Sequence, residues 1–231
     1  MDGGEFTPRW MSAIYRTLIP PEPDLSFEQV LWQAGLTSLA GIDEAGRGAL
    51  AGPVAAAAVI LPPVQKIRVR LEGVRDSKQL TSCQRETMRE RIMQYAAAWG
   101  VGFASSAEID QLGILPATRL AACRALEGLI LLPSHLLLDY ILLPDVVTPQ
   151  TALVKGDCRS LSIAAASILA KTSRDALMRK LDLEYPGYGF ARHKGYGTIA
   201  HRQAIRRLGV SQVHRISFEL LGDSDKLMDE A

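Results

Sequence analysis

The sequence predicts a mixed α/β sheet with helices on both faces, and three observations lead there. Two apolar, small-residue runs of strand length, 39–45 and 52–61, follow each other closely. Further apolar runs at 99–105, 135–143 and 151–155 are separated from them by stretches of helical pattern. A long helical stretch from Ser160 to Leu183 carries Ala164-Ala165-Ala166-Ser167, residues small enough for it to lie very close to a sheet.

In chain order, residues 1–38 read as an N-terminal extension. Within it Pro20-Pro21-Glu22-Pro23-Asp24 is a linker signal and Phe27–Ala34 a short helix. Strands at 39–45 and 52–61 lead through an Arg- and Val-rich connection to Asp76-Ser77-Lys78-Gln79-Leu80. Thr81 or Ser82 then caps a helix whose polar side carries Arg85, Glu86, Arg89 and Glu90. After the third strand, a helix from Pro116 to Leu129 has its proline in the first turn, where the missing N–H is no loss. His135 to Leu143 is a near-continuous apolar strand interrupted by Asp139, and Thr151 to Lys155 is a fifth, short one. Beyond the long helix, a loop rich in glycine and aromatics precedes a helix from Thr198 to Leu208, so the C-terminal quarter reads as a helical cap over one edge. Leu220 to Ala231 reads as a polar tail.

A chain of 231 residues can bury one sizeable core, with room for a smaller appendage. The longest apolar run, Val54 to Leu61, is too short to cross a bilayer, and Met1 to Trp10 lacks the basic-then-apolar pattern of a secretory leader. Cys83, Cys123 and Cys158 are an odd set without Cys-x-x-Cys spacing, which argues against a disulfide framework or a zinc site; a reducing, cytoplasmic setting is expected. The formal net charge of +1 conceals a division. Lys155 to Arg215 holds twelve Lys and Arg against four Asp and Glu, a local excess of 12 − 4 = +8, and three of the four histidines. Alone, such a segment is most simply a solvated helical surface. Beside an acidic metal-binding candidate it reads better as a phosphate-facing flank.

That candidate starts at Asp43-Glu44, two adjacent carboxylates in a strand of the core. Desolvated like charges side by side are unfavourable unless neutralised, and hard divalent cations such as Mg²⁺ and Mn²⁺ prefer carboxylate oxygens. Asp139 is centred in an apolar run, where Asp is rarely filler. Asp157 follows a strand and a glycine, a position that suits a cap or turn as well as a ligand. If the strands are neighbours, Asp43, Glu44, Asp139 and Asp157 converge. Such a quartet suits two divalent ions roughly 4 Å apart, one activating water and one stabilising the leaving oxygen of a phosphodiester. No P-loop, dinucleotide fingerprint or Ser-His-Asp pattern competes.

Asp43-Glu44-Ala45-Gly46-Arg47-Gly48, followed by Leu50-Ala51-Gly52-Pro53-Val54, closely resembles the signature of ribonuclease HII, the type 2 ribonuclease H family. Matching stretches follow in the same order: Asp76 to Leu80, Asp139, Lys155-Gly156-Asp157, Ile163 to Lys171 with Arg174-Asp175, Tyr185 to Phe190, His193 to Thr198, and His214 to Phe218. The resemblance covers about Leu39 to Phe218.

It implies a ribonuclease-H-like five-stranded mixed sheet with flanking helices and a C-terminal helical extension. It divides the chain into a catalytic domain at 39–183 and a substrate-binding extension at 184–231. It implies Asp43, Glu44, Asp139 and Asp157 as catalytic and metal-binding residues, with Mg²⁺ or Mn²⁺ as cofactor. The activity implied is hydrolysis 5′ of a ribonucleotide, in an RNA–DNA hybrid or singly in duplex DNA, leaving a 3′-hydroxyl and a 5′-phosphate. The substrate contacts implied are the Gly46-Arg47-Gly48 backbone, which can reach a 2′-hydroxyl, and Tyr196, whose ring packs on a sugar; Lys78 and Lys171 are expected at phosphates. A monomer with no membrane association is expected. Tyr140 stands where many relatives carry glycine, and the extension before Leu39 has no assigned counterpart. A non-catalytic hybrid binder would have no use for four carboxylates that repel phosphate without metal. A DNA strand-transfer enzyme of the same fold would have none for Gly46-Arg47-Gly48 and Tyr196.

Overall fold

A computed structural model of the chain describes residues 19–221; residues 1–18 and the polar tail from 222 onward lie outside the described residues. One five-stranded sheet forms the centre, in the order β3-β2-β1-β4-β5. Strands β1 (Leu39–Ala45), β2 (Val54–Ile60) and β3 (Ala98–Ala104) form an antiparallel meander. Strands β4 (His135–Asp139) and β5 (Gln150–Leu153) run parallel to β1. The mixed sheet expected from the sequence is therefore present; helices carry the chain from β3 to β4, whereas β4 and its parallel neighbour β5 are joined by residues 140–149 without a helix.

Every residue of β2 is buried, four of them consecutive alanines, because helices cover both of its faces. On one side the long helix α6 (Leu161–Glu184) and α3 (Ser82–Tyr95) pack over Ala57, Val59 and Leu61. On the other side α5 (Ile114–Glu127) covers Ala56, Ala58 and Ile60. Helix α6 approaches β1 so closely that a Cβ on Gly41 would lie 2.2 Å from the Ser162 carbonyl carbon, so only glycine fits there. The Ala164–Ala166 run supplies the matching smoothness on the helix.

The capping predicted for α3 is present as a capping box between Thr81 and Gln84. A second box, Ser105 with Glu108, starts α4 (Ser106–Leu112), a helix beyond those expected from the sequence and one for which Ser-x-x-Glu is the local signature. Gly113, at φ 83°, ends α4 and lets the chain restart as α5. A short α2 (Lys66–Arg70) occupies the Arg- and Val-rich connection.

The fourth strand needs correcting: it stops at Asp139, not Leu143. Tyr140 takes a left-handed φ of 65°, and its N–H donates to the carbonyls of Leu138 and Leu153, turning the chain out of the sheet.

In the segment preceding β1, helix α1 (Ser26–Gln33) buries Glu28 completely. Its Oε1 accepts from the hydroxyls of Ser160 and Ser162 and from the Ser162 amide, 2.6, 2.7 and 2.9 Å away, at the start of α6. Beyond α6, α7 (Phe190–His193) and α8 (Ile199–Leu208) close a small core of Met178, Tyr188, Phe190, Ala204 and Ile205 over Ala51.

Candidate active site

The parallel half of the sheet brings the acids together. Ile42 pairs with Leu138 across β1 and β4, so Asp43 and Asp139 each stand one residue further along adjacent parallel strands. Asp139 pairs with Leu153 at the end of β5, and the chain then turns through a short 3₁₀ segment (Gly156–Cys158) that carries Asp157. Carboxylate oxygens of Asp43, Asp139 and Asp157 lie within 4.8 Å of one another. Carboxyl ends of neighbouring parallel strands are where open sheets of this type present their chemistry.

Glu44 stands beside this trio rather than in it. It lines the same cavity as Asp43 and Asp139, and its Oε1 pairs with Arg47 at 3.3 Å. It remains close enough for its charge to be felt at Asp43 and Asp139.

Among the described residues, only Lys78 and the more distant Arg47 offset the trio's charge. Burial, and then the charges of Glu44, Asp139 and Asp157, hold the Asp43 carboxyl well above the usual carboxylate range. Burial also raises Asp139 and Asp157, the latter helped by Asp139. Lys78 is the near cation, but its ammonium stays 4.0 Å from Asp157 on a side chain that is 82% exposed. Backbone amides fix the carboxylates: Asp43 Oδ1 accepts from the Glu44 N–H at 2.7 Å and Asp139 Oδ1 from the Gly156 N–H at 2.8 Å. A largely buried set of hard oxygen donors, oriented by backbone and short of positive charge, fits Mg²⁺ or Mn²⁺ and not a soft or nitrogen-preferring metal.

Asp76 is a neighbour outside the expected four. It shares a second group with Asp157 and Cys158, ligand atoms again within 4.8 Å, and its carboxylate caps the turn carrying Lys78. Burial and then Asp157 push the Cys158 thiol up to about 12, so it stays protonated.

The Gly46-Arg47-Gly48 turn follows β1 immediately and is held from behind by two fully buried arginines. Arg215 donates to the carbonyls of Gly46, Arg47 and Gly52, at 2.8, 2.8 and 3.0 Å. Arg174 donates to Pro53, Lys194 and Ala51, at 2.8, 2.9 and 3.1 Å. Gly46 has φ 92°, and a Cβ there would strike the Arg174 Nε at 1.9 Å, so the turn tolerates no side chain at this point. In a trans peptide the N–H opposes the C=O. With the Gly46 and Arg47 carbonyls drawn inward by Arg215, the N–H groups of Arg47 and Gly48 face the other way. The guanidinium behind each peptide also polarises it into a better donor. Arg174 and Arg215 belong to the basic segment yet meet carbonyls, and buried arginines that meet carbonyls rather than carboxylates leave no charge pattern in a sequence.

Tyr196 lies on the same rim. Ala49 and Tyr196 form an antiparallel bridge, and the Leu50 and Ala51 amides donate to the Gly195 carbonyl. The Tyr196 ring, 37% exposed, has the Lys171 ammonium 5.8 Å and the Arg174 guanidinium 5.5 Å from its centroid. Lys171 also pairs with Asp175 at 2.7 Å, so it is committed to the underside of the ring. The structure thus gathers Asp43, Asp139 and Asp157 with Glu44 and Lys78 alongside, and joins Gly46, Arg47 and Gly48 to Tyr196 through backbone pairing.

Comparison with known proteins places this arrangement. A family profile described as Ribonuclease HII matches residues 40–221. A ribonuclease HII of Desulfitobacterium hafniense strain Y51 is 54% identical over 191 residues, covering 83% of this chain and 72% of the relative. Among solved structures, ribonuclease H2 from Pyrococcus horikoshii OT3 superposes with a TM-score of 0.66 at 25% identity, over 84% of this chain and 97% of that one. Bst-RNase HIII in complex with Mn²⁺ shares the fold, with a TM-score of 0.63 at 19% identity over 86% of this chain and 71% of that one.

Proposed function

The chain belongs to the ribonuclease HII family, endoribonucleases that degrade RNA in RNA–DNA hybrids, and from that premise we propose that it is a divalent-metal-dependent nuclease that also acts at single ribonucleotides in duplex DNA. It cuts 5′ of the ribonucleotide and leaves a 3′-hydroxyl and a 5′-phosphate. The observation that carries this reading is the trio of buried Asp43 and Asp157 with half-buried Asp139, beside a turn whose amides face away from Arg215.

Asp43, Asp139 and Asp157, with Glu44 at the margin, would hold Mg²⁺ or Mn²⁺; a homologous fold has been solved with Mn²⁺. When bound, the ions supply the Lewis acidity that activates water and stabilises the departing oxygen. The protein's part is to keep the carboxylates fixed, through the Glu44 and Gly156 amides, so that little reorganisation is needed when charge develops.

The Arg47 and Gly48 amides read the 2′-hydroxyl, the one group that separates ribose from deoxyribose. Tyr196 packs its ring on the neighbouring sugar and so tolerates any base. Lys78, exposed beside Asp157, takes a phosphate; Lys171 acts mainly by supporting the Tyr196 ring. The exposed members of the basic segment from Lys155 to Arg215 draw in the polyanion, while its Arg174 and Arg215 are buried against backbone carbonyls. All these groups come from one chain, so a monomer suffices. Among the described residues no helix is long and apolar enough to cross a membrane.

The test is a DNA duplex with one embedded ribonucleotide, incubated with Mg²⁺, with Mn²⁺ and with EDTA. Metal-dependent cleavage 5′ of the ribose with a 3′-hydroxyl end is expected. Binding without cleavage, or equal cutting of an all-DNA duplex, would reject the reading.

A further inference from the structure

Behind the Tyr196 rim lies a buried group of histidines that the proposed chemistry does not use. His201 and His214 are almost entirely removed from solvent, and the His193 ring stacks on His201 with centroids 4.3 Å apart. Their hydrogen bonds determine which nitrogens carry protons. The Ser211 amide donates to His214 Nδ1 at 3.0 Å, so a neutral His214 carries its proton on Nε2. That Nε2 lies 3.2 Å from His201 Nε2, which must then accept. His201 therefore carries its proton on Nδ1, and Nδ1 lies 3.0 Å from the Tyr196 carbonyl. His193 is fixed separately, accepting from the Gly195 amide at Nδ1 and donating from Nε2 to the Tyr188 carbonyl.

We propose that His201 is a positioning residue for Tyr196, its Nδ1–H holding the Tyr196 carbonyl in a one-directional hydrogen-bond relay whose other members, His214 and the Ser211 amide, fix the His201 tautomer; the contact sets the height of the ring over the substrate sugar. The relay rests on the reading of Tyr196 given above. Three features support it. Each link has only one proton arrangement that satisfies both partners, so the relay cannot run backwards without leaving the Ser211 amide facing an N–H. Burial holds all three imidazoles below their usual range, His201 at about 4, so the relay is neutral and intact at working pH. Moreover, Thr198 caps α8 through the His201 amide, which fixes His201 in the first turn of the helix that follows Tyr196.

The geometry provides a discriminating pair of variants. His201→Asn puts an amide N–H near the position of Nδ1 and keeps the donor to Tyr196. His201→Gln puts its amide near Nε2, keeping a partner for His214 while withdrawing the donor from Tyr196. Initial rates are measured on a single-ribonucleotide duplex and on a uniform RNA–DNA hybrid, using one preparation of each full-length variant. Their ratio is independent of any loss of folded fraction. The ratio for His201→Gln is expected to fall about three- to tenfold, the effect of one lost hydrogen bond, and that for His201→Asn to stay within about twofold of the parent. Tyr196→Ala is the reference. If it leaves the ratio unchanged, the reading of Tyr196 itself fails and the relay has nothing to position. If Tyr196→Ala lowers the ratio but His201→Gln does not, or if Asn and Gln lower it equally, the relay alone is refuted.

Discussion

Replacing Asp43 by Asn should make the metal-free protein more stable while abolishing turnover. Oxygens of Asp43, Asp139 and Asp157 lie within 4.8 Å of one another. At that separation and an effective dielectric near 20, each pair of full charges repels by roughly 3–4 kcal/mol. The protein escapes part of this by taking up a proton, which is why burial and the neighbouring acids hold the Asp43 carboxyl high. The recoverable part is then about 1–3 kcal/mol. For a protein of this size that corresponds to a rise in Tm of about 3–10 °C. Because the folded-state pKa of Asp43 is raised above its unfolded value, the native state binds the proton more tightly. Stability is consequently lost as pH rises from the ordinary carboxylate range through the raised pKa. The advantage of the Asn variant should grow as pH rises out of the ordinary carboxylate range and vanish in acid. Thermal melts in EDTA and in Mn²⁺ would measure it. A variant that melts at or below the parent in EDTA, or that gains as much from Mn²⁺ as the parent does, would refute the reasoning.

Other expectations follow from the same contacts. Arg215→Lys exchanges a fork that reaches three carbonyls for a single ammonium, and should cost about 2–4 kcal/mol in urea unfolding and lower cleavage of the single-ribonucleotide duplex. His201 is depressed to about 4 from an ordinary value near 6.5, so its contribution to stability is present above pH 6.5 and is lost progressively as pH falls to about 4. About 3 kcal/mol should disappear over that window relative to His201→Asn, measured by denaturation at each pH. Glu28→Ala should destabilise by about 2–4 kcal/mol while Glu28→Gln stays within about 1, because Gln keeps the oxygen that accepts from Ser160 and Ser162. Tyr140→Gly should range from neutral to about 1 kcal/mol stabilising at φ 65°, whereas a β-branched Val there should cost about 1 kcal/mol or more; urea midpoints decide.

The sequence by itself determined the sheet class, the capped helix α3 and the presence of carboxylates at the strand ends. Period, cap chemistry and an Asp inside Leu136-Leu137-Leu138 are local signals, readable without a partner. The family motif added the order in which those signals belong together. Tertiary structure alone decided the rest. Strand β4 ends at Asp139 because Tyr140 finds the Leu138 and Leu153 carbonyls, a contact between strands that an apolar run does not announce. Three acids meet because β1, β4 and β5 run parallel and finish together, while Glu44, one residue from Asp43, lines the same cavity and pairs with Arg47. The arginines and histidines behind the rim were hidden most deeply. Their partners are backbone carbonyls and one another's ring nitrogens, up to 169 residues away along the chain, and a peptide carbonyl looks the same in every residue type.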